Sequence, residues 1–425
     1  MRDRRSSRES AGEPDAASRR THETRSCLAI CATFAPVRRP ECAHMRILHG
    51  PVNVGNQPWV LSRAERQLGA SSDVVVRNDT WLGYAADRML AGKNAGFLET
   101  AIRSAAFGLK NQWRYDVLHY YFGQTFLSPG FPLSAPGSVL SRPSLITDLI
   151  NKLGAADLHA ARLFDKKLFM TLQGCDVRLA REGNSRNEWT MCAPQHCELY
   201  QRCTDALDHR RHFLIDKVLP LFDRVFYLNP ELGHIVPNGQ FLPYSNVEIE
   251  KFDVALPSTQ GRPKIVHAPT AGRIKGTPMI LNALEQLRSR YDFELILVEK
   301  TSHERALEIY RSADLAIDQV LAGWYGGFAV EMMAMGKPVA CYVRDEDMMF
   351  VPDALKRELP VYELSPGNLV ESIAGILDRW SEWRARGEAS RRYVERWHNP
   401  KLIAKAMLGA YESPDSNFEL LPDAG

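Results

Sequence analysis

The sequence predicts an α/β protein made of two doubly wound, Rossmann-like domains in series. Three observations carry this. From Met45 onward, short apolar runs alternate with stretches of helical period, the pattern of βαβ units on a parallel sheet. The rhythm breaks once, over residues 241–262, where Pro243 and Pro257 stand among Ser258, Thr259 and Gly261, and it restarts at Pro263. The chain has 425 residues, more than one ordinary core accommodates.

Residues 1–44 are arginine- and serine-rich with no hydrophobic period, which predicts disorder or an upstream extension ahead of the strand-like MRILHG that Met45 opens. A targeting peptide fits poorly. The apolar patch CLAICATFAPV runs into Arg38 and Arg39, and Asp3, Glu9, Glu13, Asp15 and Glu23 precede it. Residues 45–240 form the predicted first domain. RILHG is a strand, PVNVGNQ a loop, and PWVLSRAERQLG a helix closed by glycine. DVVVR, YDVLHYYFG, KKLFMTLQG and DRVFYLN read as further strands. GFLETAIRSAAFGLK, NKLGAADLHAARLFD and TDALDHRRHFLIDKVL read as the helices between them. Residues 241–262 are the linker. The second domain, 263–395, starts with the strand PKIVHAP, and KGTP then opens the helix MILNALEQLRSR. FELILVE, DLAIDQV and KPVACYV are strands, and HERALEIYRS and GGFAVEMMAMG are helices. Residues 396–425 make a C-terminal helix and tail, with Trp380, Trp383 and Trp397 as packing anchors around the domain's end. Ligands of such sheets bind beyond the carboxyl ends of the strands, so two facing domains imply a cleft between them.

Composition narrows the function. Hydrophobic and charged contents of 45% and 24% are those of a globular protein. The net charge is +2, but residues 1–44 hold nine arginines against six acids. The body is therefore close to neutral, with no basic surface to suggest nucleic acid. Eight cysteines are too sparse for a disulfide scaffold and point to a reducing cytoplasm. No apolar run reaches membrane-spanning length, which leaves a soluble chain or one attached at a membrane surface.

Four loops at predicted strand exits can carry chemistry. In HAPTAGRIKGTP, Arg273 and Lys275 stand just before a helix start. Gly276 lets backbone N–H groups approach an anion there, a layout that suits a diphosphate. In GWYGGFAVEMMAMGKPVACY, Gly326 and Gly327 open a second helix N-terminus. Glu331, in its second turn, is the lone acid of an apolar run, placed to accept hydrogen bonds from sugar hydroxyls. In TLQGCDVRLAREG, Asp176 and Arg178 either face the cleft or pair with each other on its rim. At PVNVGNQPW, Gly50 just before it and Gly55, Asn53 and Asn56 within it form the first βα turn. The stretch MCAPQHCELYQRC has zinc-ligand residue types in Cys192, His196, Cys197 and Cys203. Its spacing matches no paired CxxC site, so buried thiols are expected and no metal. No G-x-S-x-G elbow, HExxH motif or Cys–His pair marks a hydrolase.

GRIKGT and YGGFAVEMMAMGKPV, with the strands between them, resemble the donor domain of family 4 glycosyltransferases of the GT-B fold. The first domain resembles that family less sharply, through its glycine-bearing first loop, DVLHYYFG and TLQGCDVR. The resemblance spans Met45 to the C-terminal helices. It implies a GT-B architecture of two Rossmann-like domains facing across a cleft. It also implies transfer of a sugar from a UDP- or GDP-linked donor to an acceptor hydroxyl, with retention and without an obligatory metal. By position, Arg273, Lys275 and Gly276 would hold the diphosphate, and Gly326 and Gly327 would bring N–H groups to it. Glu331 would bind the ribose, and Tyr325 would shape the sugar pocket. Gly55 would touch phosphate or acceptor. Asp176, Arg178 and Gln173 would lie at the reacting centre. Two positions depart from the family. Gly323 stands where a second glutamate is usual, and Gln173 replaces a histidine, so an amide that cannot act as a base stands there. The acceptor implied is a carbohydrate or a lipid-linked sugar, which allows peripheral contact at the inner membrane face. A sugar-nucleotide epimerase of the same architecture and a non-catalytic nucleotide-sugar binder are the competing readings.

Overall fold

The computed structural model describes residues 45–78, 83–92, 94–128 and 145–420; the expectation for residues 1–44 falls outside them. The first sheet has seven parallel strands. They are β1 (Arg46–Gly50), β2 (Ser71–Val76), β3 (Arg88–Met89), β4 (Val117–Tyr121), β5 (Lys167–Leu172), β6 (Arg224–Tyr227) and β7 (Gln240–Phe241), in the order β3-β2-β1-β4-β5-β6-β7. The second sheet is also parallel: β8 (Lys264–His267), β9 (Glu294–Leu297), β10 (Leu315–Ile317), β11 (Val339–Cys341) and β12 (Tyr362–Glu363), in the order β12-β11-β10-β8-β9. Both orders reverse direction at the first strand of the unit, β1 or β8, and such switch points are where doubly wound folds place their ligands.

Helices cover the sheet faces. They are α1 (Gln57–Gln67), α2 (Phe97–Asn111), α3 (Leu145–Gly154), α4 (Ala156–Leu163) and α5 (Ala180–Arg186) in the first half. The second half has α6 (Thr277–Leu287), α7 (His303–Ser312), α8 (Gly327–Ala334), α9 (Leu369–Leu377), α10 (Trp383–Trp397) and α11 (Pro400–Glu412). Because both faces are covered, the central strands read as continuous apolar runs: VLHYY of β4 is buried throughout, as is LFMTL of β5. This is the predicted pair of Rossmann-like domains.

The differences are local. β3, β7 and β12 have two residues each, too short for a period-2 signal. NKLGAADLHAARLFD, read as one helix, breaks at Ala155 into α3 and α4. TDALDHRRHFLIDKVL is helical but widens to π turns at Cys203–Leu207 and Leu214–Val218. The last helix returns to the first sheet. Ile403, Ala404, Met407 and Tyr411 of α11 share a buried cluster with Ile47, Val117, Phe169 and Phe226, and Tyr411 Oη lies 2.6 Å from His119 Nδ1. Trp383 and Trp397 are buried as anchors. Trp380 is only half-buried and donates to the Ser258 carbonyl at 3.0 Å.

Candidate functional site

The strand exits of the two sheets meet along one seam. On the first sheet, Gln173 and Asp176 follow β5. The Asp176 carboxylate accepts the N–H groups of Gln173 at 2.9 Å, Gly174 at 2.6 Å and Val177 at 3.1 Å. It is 5% exposed, and burial raises its pKa against the lowering effect of those N–H groups. Asp176 thus shapes the loop. Gln173 is tied to the first βα turn: its side-chain amide reaches the Val54 carbonyl at 3.4 Å, beside Gly55, whose φ is +61°. Its own carbonyl accepts Asn229 Nδ2 at 2.6 Å.

Arg178 does not pair with Asp176. Its Nε donates to Glu231 Oε1 at 2.7 Å. Glu231 Oε2 lies 3.7 Å from Arg344 Nη1, and Arg344 pairs with Asp347 at 2.7 Å. His234 Nε2 stands 3.2 Å from the other Asp347 oxygen. Arg178, Glu231 and His234 come from the first domain, and Arg344 and Asp347 from the second, so Arg178 belongs to a buried ionic chain that ties the domains together. The same seam carries Met191 N–H to the Leu321 carbonyl at 3.1 Å and Arg344 Nη2 to the Trp189 carbonyl at 2.7 Å.

On the second sheet, Lys275 stands where it was expected, but already has a partner. Its Nζ lies 2.7 Å from Asp318 Oδ1, and the other Asp318 oxygen accepts Gly326 N–H at 2.6 Å. Asp318 is fully buried at the end of β10. One carboxylate therefore joins the cation and the glycine N–H that were expected to share a diphosphate. Gly276, at φ +81°, caps α6 in a left-handed conformation, and a Cβ there would collide with the Val320 side chain. Neighbouring His267 is held neutral, its pKa pushed down to about 4 by burial, and bridges the Ile317 carbonyl to Thr277 Oγ1. Arg273 is half-exposed and crosses to the first domain, donating to the Gln195 carbonyl at 2.9 Å.

Gly327 opens α8, and its carbonyl accepts Asn246 Nδ2 at 3.2 Å. Glu331 is one turn on, with its side chain 13% exposed and 2.7 Å from His303 Nε2. Burial and the Glu331 charge push the Tyr84 phenol up to about 12 and raise Tyr310 also, so this acid sits under a loop of the first domain. Four buried polar atoms along the seam lack partners among the described residues: Asn53 Oδ1, Gln57 Nε2, Ser245 Oγ and Asn246 Oδ1. They are linked through Gln57 Oε1, which accepts Ser245 N–H at 2.6 Å, and through Asn246 to the start of α8. Unpaired amides and a hydroxyl beside a helix N-terminus, a lysine and an acid suit a polyhydroxylated anion.

Tyr325 requires a correction. It is fully buried, and its hydroxyl lies 2.9 Å from both Tyr393 Oη and His398 Nε2, while Trp324 is 1% exposed. Both rings pack in the core behind the cleft and cannot line a sugar pocket. Gly323 has φ +73°, and a Cβ there would lie 2.6 Å from Arg344 Nη1. The Arg344 guanidinium thus covers the place where the family resemblance expects a glutamate. Asp318, His303, Asn246, Ser245 and Gln57 escaped sequence reasoning; only Asp318 left a signal, an acid at the end of the apolar run LAID. Cys192 and Cys203 are buried thiols, and no metal-ligand cluster occurs among the described residues.

His303 offers a direct check on Glu331. Its hydrogen bond to Glu331, assisted by that charge and opposed by burial, raises the His303 pKa above 6.5. The pair's stabilisation is therefore complete below about pH 6.5 and fades as pH rises through the higher folded value. An NMR titration should place the His303 midpoint above 6.5, and Glu331→Gln should bring it down. An equal midpoint in both proteins would mean the contact does not form in solution.

Two doubly wound domains whose strand exits face each other along a seam define the GT-B fold. The chain superposes on sucrose-phosphate synthase from Thermosynechococcus elongatus with a TM-score of 0.55 and 16% identity, covering 87% of this chain and 98% of that one. It also superposes on Anabaena HepE, in crystal structures with UDP and glucose and with UDP-glucose. There the TM-score is 0.53 and the identity 10%, over 87% of this chain and 100% of HepE. At these identities the likeness concerns the fold. No family model matches the sequence, and no curated protein matches it.

Proposed function

We propose that this protein is a glycosyltransferase that moves a sugar from a nucleotide-sugar donor to an acceptor hydroxyl. The observation that carries this is the row formed by Lys275, the start of α8 and Glu331 at the exits of the second sheet of a GT-B fold. Lys275 gives one ammonium proton to Asp318 and keeps two for a donor diphosphate. Glu331 stands one turn into α8 and would meet the ribose. Breaking the anomeric bond puts negative charge on the leaving diphosphate, which Lys275, Arg273 and the α8 N-terminus stabilise in a cleft shielded from water. The leaving phosphate oxygen accepts the proton of the acceptor hydroxyl. This chemistry needs no base at Gln173, and it proceeds with retention and without a metal, as family 4 resemblance implies. The reaction belongs in polysaccharide or glycoconjugate assembly in the cytoplasm, at the inner membrane face when the acceptor is lipid-linked. HepE, solved with UDP-glucose, makes that donor the first to try.

A thermal-shift series with UDP, GDP and their sugars tests the reading. A nucleoside diphosphate at a hundredfold excess over its Kd stabilises the folded state by about 2.7 kcal/mol. Absence of any shift across the series would defeat the proposal. The Arg344 cover over Gly323 favours one second reading, a nucleotide-sugar binder without turnover. Saturable binding with no sugar transfer across an acceptor panel would select it.

A further inference from the structure

A cavity of about 590 Å³ opens between α2 and α3 in the first domain, walled by Phe97, Ala101, Phe126, Leu127, Ile150 and Leu153. Its polar wall includes Gln124, Ser128 and Arg77, whose guanidinium is already committed to Gln124 Oε1 at 2.9 Å and the Ser128 carbonyl at 2.6 Å. Gln124 and Ser128 also border a small cavity of about 60 Å³ that holds Asp176 and Arg210. Ser128 borders a third, of about 50 Å³, that holds Asn151 and Arg210. Ser128 lines all three spaces, so the two small ones with Arg210 adjoin the large apolar one.

The cationic end is unsatisfied. Arg210 Nη1 and Asn151 Nδ2 are buried and have no hydrogen-bond partner among the described residues, and Asn151 is 9% exposed. Asp176, the acid in the same small cavity, already accepts three backbone N–H groups. Arg211 beside it is committed to Asp208 at 2.8 Å. Two buried donors, one of them a cation, call for a charged acceptor group. The apolar end is equally incomplete. On the helices that wall the cavity, Leu98 is 72% and Ile102 68% exposed on α2, and Leu145 89% and Leu149 57% exposed on α3. The two helices that flank the cavity thus also turn large apolar side chains to solvent, which suits a binding surface.

We propose that this cavity binds an anionic amphiphile, with its phosphate or carboxylate head at Arg210 and Asn151 and its apolar chain between α2 and α3. Its role as the acceptor end of the transfer reaction rests on the function proposed above; the binding itself does not. The head lies beside Asp176 and the β5 exit, on the side from which an acceptor approaches the seam.

Titration calorimetry on the full chain with decyl phosphate, decanol and inorganic phosphate tests this. Decyl phosphate should saturate one site and bind at least tenfold more tightly than decanol or phosphate. Arg210→Met should weaken decyl phosphate at least tenfold and leave decanol unchanged. Ala101→Trp, which fills the apolar end, should weaken both decyl compounds and spare phosphate. Arg210→Met should keep the wild-type Tm, because it removes a buried cation that has no partner; a large fall in Tm would make Arg210 structural and overturn the proposal. Failure of decyl phosphate to bind, equal binding by all three proteins, or phosphate binding as tight as decyl phosphate would also overturn it. UDP shifts measured on the same samples keep failure of this site apart from failure of the donor site.

Discussion

Lys275→Ala is expected to raise the Kd for a nucleoside diphosphate at least tenfold and to lower the unfolding free energy by about 3–5 kcal/mol, the range for breaking a buried pair. The two losses have different causes. Binding should fall because the cation proposed to face the donor phosphates is gone. Stability falls because Asp318, fully buried, keeps only the Gly326 N–H and becomes an uncompensated charge. Adding Asp318→Asn should therefore restore most of the stability, since a neutral amide needs no cation, and should leave binding weak. Chemical denaturation and calorimetry on the single and double variants separate the effects. Wild-type diphosphate affinity in Lys275→Ala would move the donor site elsewhere.

Arg344→Met should cost a similar 3–5 kcal/mol or so, because it strips the shared cation from two buried acids at once. Asp347 loses a 2.7 Å partner, Glu231 loses one at 3.7 Å, and the Trp189 carbonyl loses its donor. The acids come from opposite domains, so the loss should also loosen the seam. Amide exchange should accelerate around Pro230–His234 and Asp345–Phe350, the two helical turns that carry this chain. Stability within about 1 kcal/mol of wild type, with unchanged exchange, would mean the ionic chain is not a tie between domains. Both variants concern cleft geometry, and each removes a cation from a carboxylate distant in sequence, Asp318 for Lys275 and Glu231 for Arg344.

Individual residues show how far the sequence could be read. The strand and helix alternation was legible because burial on both faces of a parallel sheet forces apolar runs such as VLHYY, and that pattern is local. Gly276 and Gly327 were legible because a glycine at a strand exit before a helical run has few other uses. Asp176 was found at the right loop, but its partners are backbone N–H groups, which no residue pattern encodes. Arg178 and Tyr325 were misread for one reason. Each takes partners far away in sequence, Glu231 in the ionic chain across the seam in one case and Tyr393 and His398 in the core behind it in the other.

By itself, then, the sequence determined the two doubly wound domains and the helix starts beside which Lys275 and Glu331 stand. Periodicity and turn chemistry act over a few residues and survive in any one stretch of chain. Only the tertiary structure decided that Asp318 joins Lys275 to Gly326, that Arg344 covers Gly323, that His303 meets Glu331, and that Arg210 lines a small cavity beside an apolar one. Those contacts join groups 8 to 43 residues apart in the chain. Their energies come from desolvation, which exists only once the domains have closed over them.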